Sequence, residues 1–324
     1  MIALALAARV STAVLALVAA RPDLTPSDRP NARSLHDAPV PRAGGWAVAA
    51  GFAAVAAWLP LPPGFSGGAW ATLLVALAAL FTVSLVDDYR GVPAAARMAV
   101  QVACAGALGV ALSPAVPTDV VRVGAIAFVL VAAANFYNFM DGSDGLAGAM
   151  TVSGFTSLAL GAALDRTPSF VALLAVAAAA LPFLWRNLPP ARVFLGDAGA
   201  VPLGFLAAAI AVAGALAGAW PAWFPALVFL PFLADAIVTL ARRLLRGERV
   251  WEAHRTHYYQ RLVRGGAGHA GTLATYAALM LGCGASAVAC LALAPAAGPL
   301  ALAGWAAAIA LLFAGIDYHS RERA

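Results

Sequence analysis

RVGAIAFVLVAAANFYNFMDGSDG, residues 122–145, is an almost unbroken apolar run that ends in a stripe of amides and carboxylates. A membrane hydrocarbon core about 30 Å thick takes about 20 apolar helical residues, so a run of this length reads as a bilayer-crossing helix. Its polar end carries a second message. Asn135, Asn138 and Asp141 recur every three positions and share one helical face, and Gly142 and Gly145 let the chain turn directly afterwards. Such a stripe at a bilayer edge asks for a polar ligand; the plainer alternative is amides that join helices to one another.

The same design, an apolar span closed by polar residues, repeats along the chain. Of its 324 residues 63% are hydrophobic and 11% charged, and the mean hydropathy is +0.86. That composition excludes an ordinary soluble domain. Eleven spans are expected, at about 2–20, 44–60, 68–86, 94–112, 122–140, 145–163, 168–185, 199–217, 221–240, 271–294 and 298–316. The expected fold is therefore all-α, a polytopic integral membrane protein of about 11 transmembrane helices. Residues 1–324 form a single domain in this reading, with 241–270 as a cytoplasmic substrate-binding loop inside it. The first span contains Arg9, which argues for a retained helix over a signal peptide.

All 20 basic residues are arginine, and 17 of them fall on the side that follows the first span. The positive-inside rule then puts the N-terminus outside and the C-terminus in the cytoplasm, as expected for a multi-pass protein of a bacterial inner membrane. Of the 15 acidic residues, 13 fall on or beside that same face. Loop orientation accounts for the arginines but not for the carboxylates, so the acidic clustering is the functional clue. Cys104, Cys283 and Cys290 lie in apolar spans without metal-like spacing and read as core thiols.

Three further clusters share the face. Asp87-Asp88 closes the run Leu73 to Val86; adjacent carboxylates repel at a membrane edge unless a cation or donors share them, while a solvated helix end is the bland reading. Phe194-Leu-Gly-Asp197-Ala-Gly199 precedes the eighth span, where Asp197 reads either as a ligand or as a helix cap. It departs from the Gly-x-Gly-Asp of intramembrane aspartyl proteases at Phe194. Arg242 to Gln260 is the longest polar segment. If 250–264 is helical, His254, His257, Arg261 and Arg264 share one face and Trp251, Tyr258 and Leu262 another, which suits phosphate at an interface or adhesion to anionic headgroups.

Taken in order, these clusters resemble the polyprenyl-phosphate N-acetylhexosamine-1-phosphate transferases, glycosyltransferase family 4. The resemblance rests on Arg33-Ser34, His36, Pro39, Pro41-Arg42 and Gly44-Gly45; on Asp87-Asp88; on Asn135, Asn138, Asp141-Gly142 and Asp144-Gly-Leu-Ala147; on Phe194 to Gly199; and on His254-Arg255-Thr-His257-Tyr-Tyr-Gln260. It spans roughly residues 29–264. It implies transfer of an N-acetylhexosamine 1-phosphate from a UDP-sugar to undecaprenyl phosphate, releasing UMP and starting lipid-linked cell-surface glycan synthesis. Magnesium is the implied cofactor, with manganese as the substitute.

By the same resemblance, Asp87 and Asp88 are catalytic, Asp197 and Asp88 bind the metal, and Phe194 stacks on uracil. Arg42, Asn135, Asn138, Asp141 and Asp144 contact substrate, and His254, Arg255 and His257 hold the diphosphate. Partners are the UDP-N-acetyl sugar, undecaprenyl phosphate and membrane lipid, with a homodimer left open and nucleic acid excluded. The loop lacks the histidine-rich stretch of phospho-N-acetylmuramoyl-pentapeptide transferases, the alternative function, and is closer to the O-antigen branch of lipopolysaccharide synthesis. A transporter is disfavoured because the polar motifs gather at one face, without an internal repeat. A CDP-alcohol phosphatidyltransferase is disfavoured because no Ala-Arg follows Asp141-Gly142.

Overall fold

The computed structural model describes residues 1–28, 39–113, 119–164, 166, 168–250, 252 and 254–322. Its elements are α1 (Ile2–Ala20), β1 (Ser27–Asp28), β2 (Val40–Pro41), α2 (Gly44–Ala56), α3 (Gly67–Arg90), α4 (Ala94–Ala111), α5 (Val120–Phe139), α6 (Leu146–Ala163), α7 (Phe170–Asn187), α8 (Asp197–Leu216), α9 (Trp223–Val228), α10 (Leu230–Leu245), α11 (Tyr258–Leu262), α12 (Gly268–Leu293) and α13 (Gly298–Glu322). The protein is an all-α, multi-pass membrane protein. The two short strands pair antiparallel, Ser27 opposite Pro41 and Asp28 opposite Val40.

Among the described residues, nine helices are long and apolar enough to cross a bilayer: α1, α3 to α8, α12 and α13. The expected count of eleven differs at two places. Helix α2 has only 13 residues. The expected span 221–240 is broken at Phe229 into α9 and α10. Pro231 explains the break, because it has no amide hydrogen to continue the ladder and disfavours helical geometry at the residue before it.

Helix α8 is central, with 72% of its most apolar window buried, against 17% for α13 at the rim. Lipid tails are as apolar as leucine, so packing inside a bilayer depends on close backbone approach through small residues. Gly204 of α8 shows this directly: a Cβ there would stand 2.5 Å from the Ala133 carbonyl oxygen of α5. At the start of α8, a Cβ on Gly45 of α2 would stand 2.4 Å from the Gly199 amide nitrogen. Gly145 (φ +77) turns the chain into α6 and Gly196 (φ +74) turns it into α8, a backbone region that glycine reaches without cost.

These boundaries bring one set of helix ends together. The C-terminal ends of α3, α5, α7 and α10 lie at the same end of the bundle as the N-terminal ends of α2, α4, α6, α8 and α12.

Candidate active site

Five carboxylates and two guanidinium groups meet at that end. Arg42, just after β2, donates from one Nη atom to Asp88 Oδ1 at 3.1 Å and from the other to Asp28 Oδ1 at 2.7 Å. Arg97, on the first turn of α4, donates to Asp197 Oδ2 at 3.2 Å and closely to Asp87 Oδ2. The Val92 amide satisfies Asp87 Oδ1 at 2.6 Å. Asn138 donates its side-chain amide to Asp197, and the Gly196 amide faces the Asp141 carboxylate. Burial pushes the Asp141 carboxyl well above the usual carboxylate range, and the charge of Asp197 adds to this.

The backbone that carries Phe194 is pinned to Arg42. The Phe194 amide donates to the Pro41 oxygen at 2.9 Å, and the Gly44 and Gly45 amides donate to the Phe194 and Leu195 oxygens at 2.8 Å each. This clamp sets Asp197 beside Asp88. A Cβ on Gly196 would lie 3.2 Å from Asp88 Oδ2.

Asp88 Oδ2 is buried without a close hydrogen bond among the described residues, and the Ala198 amide at the start of α8 is the one backbone donor turned toward this carboxylate. An anionic oxygen in that state fits a cation. No group of three His, Cys, Asp or Glu side chains among the described residues converges tightly enough to hold a metal alone. Asp88 and Asp197 could hold a hard divalent cation only together with oxygen ligands from outside the protein.

The basic loop is organised differently from the helix expected over 250–264. Helix starts only at Tyr258, after the His257 amide has donated to Gln260 Oε1 at 3.2 Å, and a wide turn at Val263–Ala267 follows. His254 and His257 still meet, but by ring stacking with centroids 4.9 Å apart and not by helical spacing. Arg261 leaves their face to pair with Asp317 of α13 at 2.5 Å and Ser320 at 3.1 Å. Arg264 turns back to the Arg255 carbonyl at 3.5 Å. His254 is held down to about 4 by its burial, with His257 and Arg243 adding to the effect. Arg255 is half-buried, and its guanidinium forms no ion pair among the described residues.

The loop docks on the turn after α5. The Tyr259 hydroxyl donates to the Phe139 oxygen at 2.9 Å, and the His257 and Phe139 ring centroids are 5.9 Å apart. His257 thus lies beside the turn that carries Asn138 and Asp141.

Two of the expected residues point elsewhere. Asn135 donates to Gln101 of α4 at 2.7 Å and to the Val131 oxygen at 2.8 Å, so its amide joins two helices. Asp144 accepts from the Ala191 amide at 2.9 Å and faces His269 at 3.5 Å, clasping the turn before α6 to the segment after α7 and to α12. Arg33, Ser34, His36 and Trp251 lie outside the described residues. Arg97, Asp235 and His269 belong to none of the sequence motifs, and the fold alone brings them to Asp197, His257 and Asp144. An apolar cavity of about 710 Å³ between α1, α2, α3, α7 and α8 reaches Leu85, Ala198 and Gly199, next to the carboxylates.

Residues 70–215 match the family described as Glycosyl transferase family 4. The chain is 30% identical over 282 residues to a decaprenyl-phosphate N-acetylglucosaminephosphotransferase of Mycobacterium leprae, covering 74% of this chain and 70% of that one. It is 26% identical over 262 residues to a Bacillus subtilis protein named "Probable undecaprenyl-phosphate N-acetylglucosaminyl 1-phosphate transferase", covering 75% and 71%. Similarity to a phospho-N-acetylmuramoyl-pentapeptide-transferase of Staphylococcus aureus, 31% identical over 150 residues, covers 46% of each chain.

Proposed function

Because the chain belongs to the polyprenyl-phosphate N-acetylhexosamine-1-phosphate transferases, glycosyltransferase family 4, we propose that it moves N-acetylglucosamine 1-phosphate from UDP-N-acetylglucosamine to undecaprenyl phosphate on the cytoplasmic side of a bacterial inner membrane. The observation that carries this reading is the meeting of Asp88 and Asp197 beside Arg42 and Arg97 at one end of the bundle, in a chain similar over most of its length to enzymes named for that transfer.

An oxygen of the acceptor phosphate forms a bond to the sugar-bearing phosphorus as the bond to the UMP oxygen breaks, and the electron pair leaves with UMP. The acceptor is already an anion, so the site has to align the two phosphates and offset their charge. Mg²⁺, or Mn²⁺ in its place, supplies that offset when bound, and Asp197 and Asp88 are the residues that would hold it. Arg42 and Arg97 fix the orientation of those carboxylates. Asn138 and Asp141 line the nucleotide-sugar side, and Phe194 offers a ring to the uracil. Arg255, His254 and His257 face the diphosphate from the loop. Asp87 has both oxygens bonded to donors, which favours direct attack by the acceptor over a covalent enzyme intermediate at that residue. The apolar cavity along α8 suits an isoprenoid chain whose phosphate ends at the carboxylates.

The test is to incubate membranes containing the protein with undecaprenyl phosphate, Mg²⁺ and a panel of UDP-N-acetyl sugars, and to identify lipid product by mass. Lipid-diphosphate-N-acetylglucosamine with stoichiometric UMP supports the reading. Product only from UDP-N-acetylmuramoyl-pentapeptide, or only from a deoxy-N-acetylhexosamine donor, replaces it.

A further inference from the structure

Asp235 sits on α10 and is fully buried, at 0% exposure. A lone carboxylate in that position is costly unless donors surround it. Its Oδ1 accepts from the Tyr258 amide at 2.9 Å and the Thr239 hydroxyl at 3.1 Å, and meets His257 Nδ1 at 3.1 Å. Its Oδ2 accepts from the Tyr259 amide at 3.0 Å and the Tyr276 hydroxyl at 2.5 Å. One side chain thereby ties α10, α11, α12 and the end of the basic loop.

Capping α11 does not account for all of this. The Tyr258 and Tyr259 amides need only an acceptor, and the hydrogen bond between His257 and Gln260, from the His257 backbone amide to Gln260 Oε1 at 3.2 Å, leaves the imidazole out. The Nδ1 contact is additional. A carboxylate enclosed by four other donors acts as an acceptor, which assigns the hydrogen of the fifth contact to His257 Nδ1. His257 is itself only 2% exposed, and its ring is stacked between those of His254 and Tyr259. With Nδ1 engaged by Asp235, Nε2 is the one nitrogen left to meet a ligand.

We propose that Asp235 is a positioning residue for the transfer reaction: it accepts the Nδ1 hydrogen of His257 and so aims Nε2, which carries its own hydrogen when the diphosphate is bound, to donate to a phosphate oxygen of the nucleotide-sugar. This rests on the reading of His257 as a diphosphate contact. Asp235 itself touches no substrate; it acts through the imidazole, as a second partner commonly does for a ring nitrogen that must face one way.

Two measurements test it. The first uses ¹⁵N-histidine-labelled protein in detergent without substrate, with the His257 signals assigned by their loss in His257→Gln. Wild type should show a protonated Nδ1, and Asp235→Asn should show a changed or mixed tautomer. A wild-type ring with its hydrogen on Nε2 and a bare Nδ1 overturns the proposal, whether or not Asp235→Asn folds. The second is a cycle of kcat/KM for Asp235→Asn, His257→Gln and the double variant, with Tyr276→Phe alongside. Asp235→Asn should lose at least tenfold, the double variant no more than the worse single one, and Tyr276→Phe about threefold or less. Losses that multiply, or a Tyr276→Phe loss equal to that of Asp235→Asn, mark a purely structural network and overturn it. A wild-type protein inactive on every UDP-sugar, yet with the expected His257 spectrum, sinks the proposed reaction while leaving the tautomer assignment in place.

Discussion

Arg97 and Asp197 are a hundred positions apart in sequence and 3.2 Å apart in the folded protein. The same guanidinium also holds Asp87, so one cation joins the end of α3 to the start of α8. Arg97→Met keeps the length of the side chain but leaves those two carboxylates to repel each other. We expect kcat/KM to fall tenfold or more, equivalent to about 1.4 kcal/mol of transition-state stabilisation. Arg97→Lys should recover part of the loss, since a point charge serves two carboxylates less well than a planar fork. Steady-state kinetics of the two variants checks the order.

Asp197→Asn should abolish turnover while the protein still folds and inserts. A loss of about 3 kcal/mol or more, over a hundredfold in rate, is the scale expected when charge stabilisation on a transferring phosphate disappears. Excess EDTA should produce the same loss in wild type, and added Mg²⁺ should reverse it. Near-normal turnover in EDTA would remove the metal from the proposed mechanism.

Arg255 separates phosphate binding from headgroup adhesion. If it grips the donor diphosphate, Arg255→Lys should raise KM for the UDP-sugar several-fold in neutral detergent, because lysine cannot make two parallel hydrogen bonds to phosphate oxygens. Adhesion to lipid needs charge alone. Wild-type kinetics from the lysine variant would take Arg255 out of the site.

His254 gives a pH signature. An unfolded histidine titrates near 6.5, whereas burial holds the folded one near 4. Between those values the unfolded chain binds the proton and the folded chain does not, so stability is full above about pH 6.5 and falls as the pH drops toward 4. Thermal midpoints measured from pH 7.5 to 5 should decline more steeply for wild type than for His254→Gln. Parallel declines would contradict the burial of a neutral ring.

Orientation can be read by labelling. A cysteine at exposed Thr256, in the basic loop, should react with an impermeant reagent only from the cytoplasm. One at Val120, 79% exposed at the opposite end of α5, should react only from outside. Reversal of the two would invert the proposed topology.

Much of the helical order was legible because apolar runs of membrane length are punctuated by Pro93, Gly145 and Gly196. The break at Phe229 was harder to see, since Pro225 and Pro231 sit inside a run that is apolar throughout. The loop misled for a different reason: the three-residue spacing of His254 and His257 fits a helix, and only the His257–Gln260 cap shows that the helix begins later. Arg97 belongs to no motif, and its reach to Asp197 depends on how α4 packs. Asp235 did leave a signal. A single carboxylate inside the run LPFLADAIVTL is expensive in a bilayer and so asks for a partner. The partner, His257, is 22 positions away, across a loop whose path the sequence does not specify.

The touching backbones of Gly45 and Gly199 limit how descendants of this fold can diverge. Any larger residue at either position would lever α2 away from α8, and Asp197, two residues before Gly199, would travel with it. Those two sites are therefore closed to neutral drift while the reaction is kept.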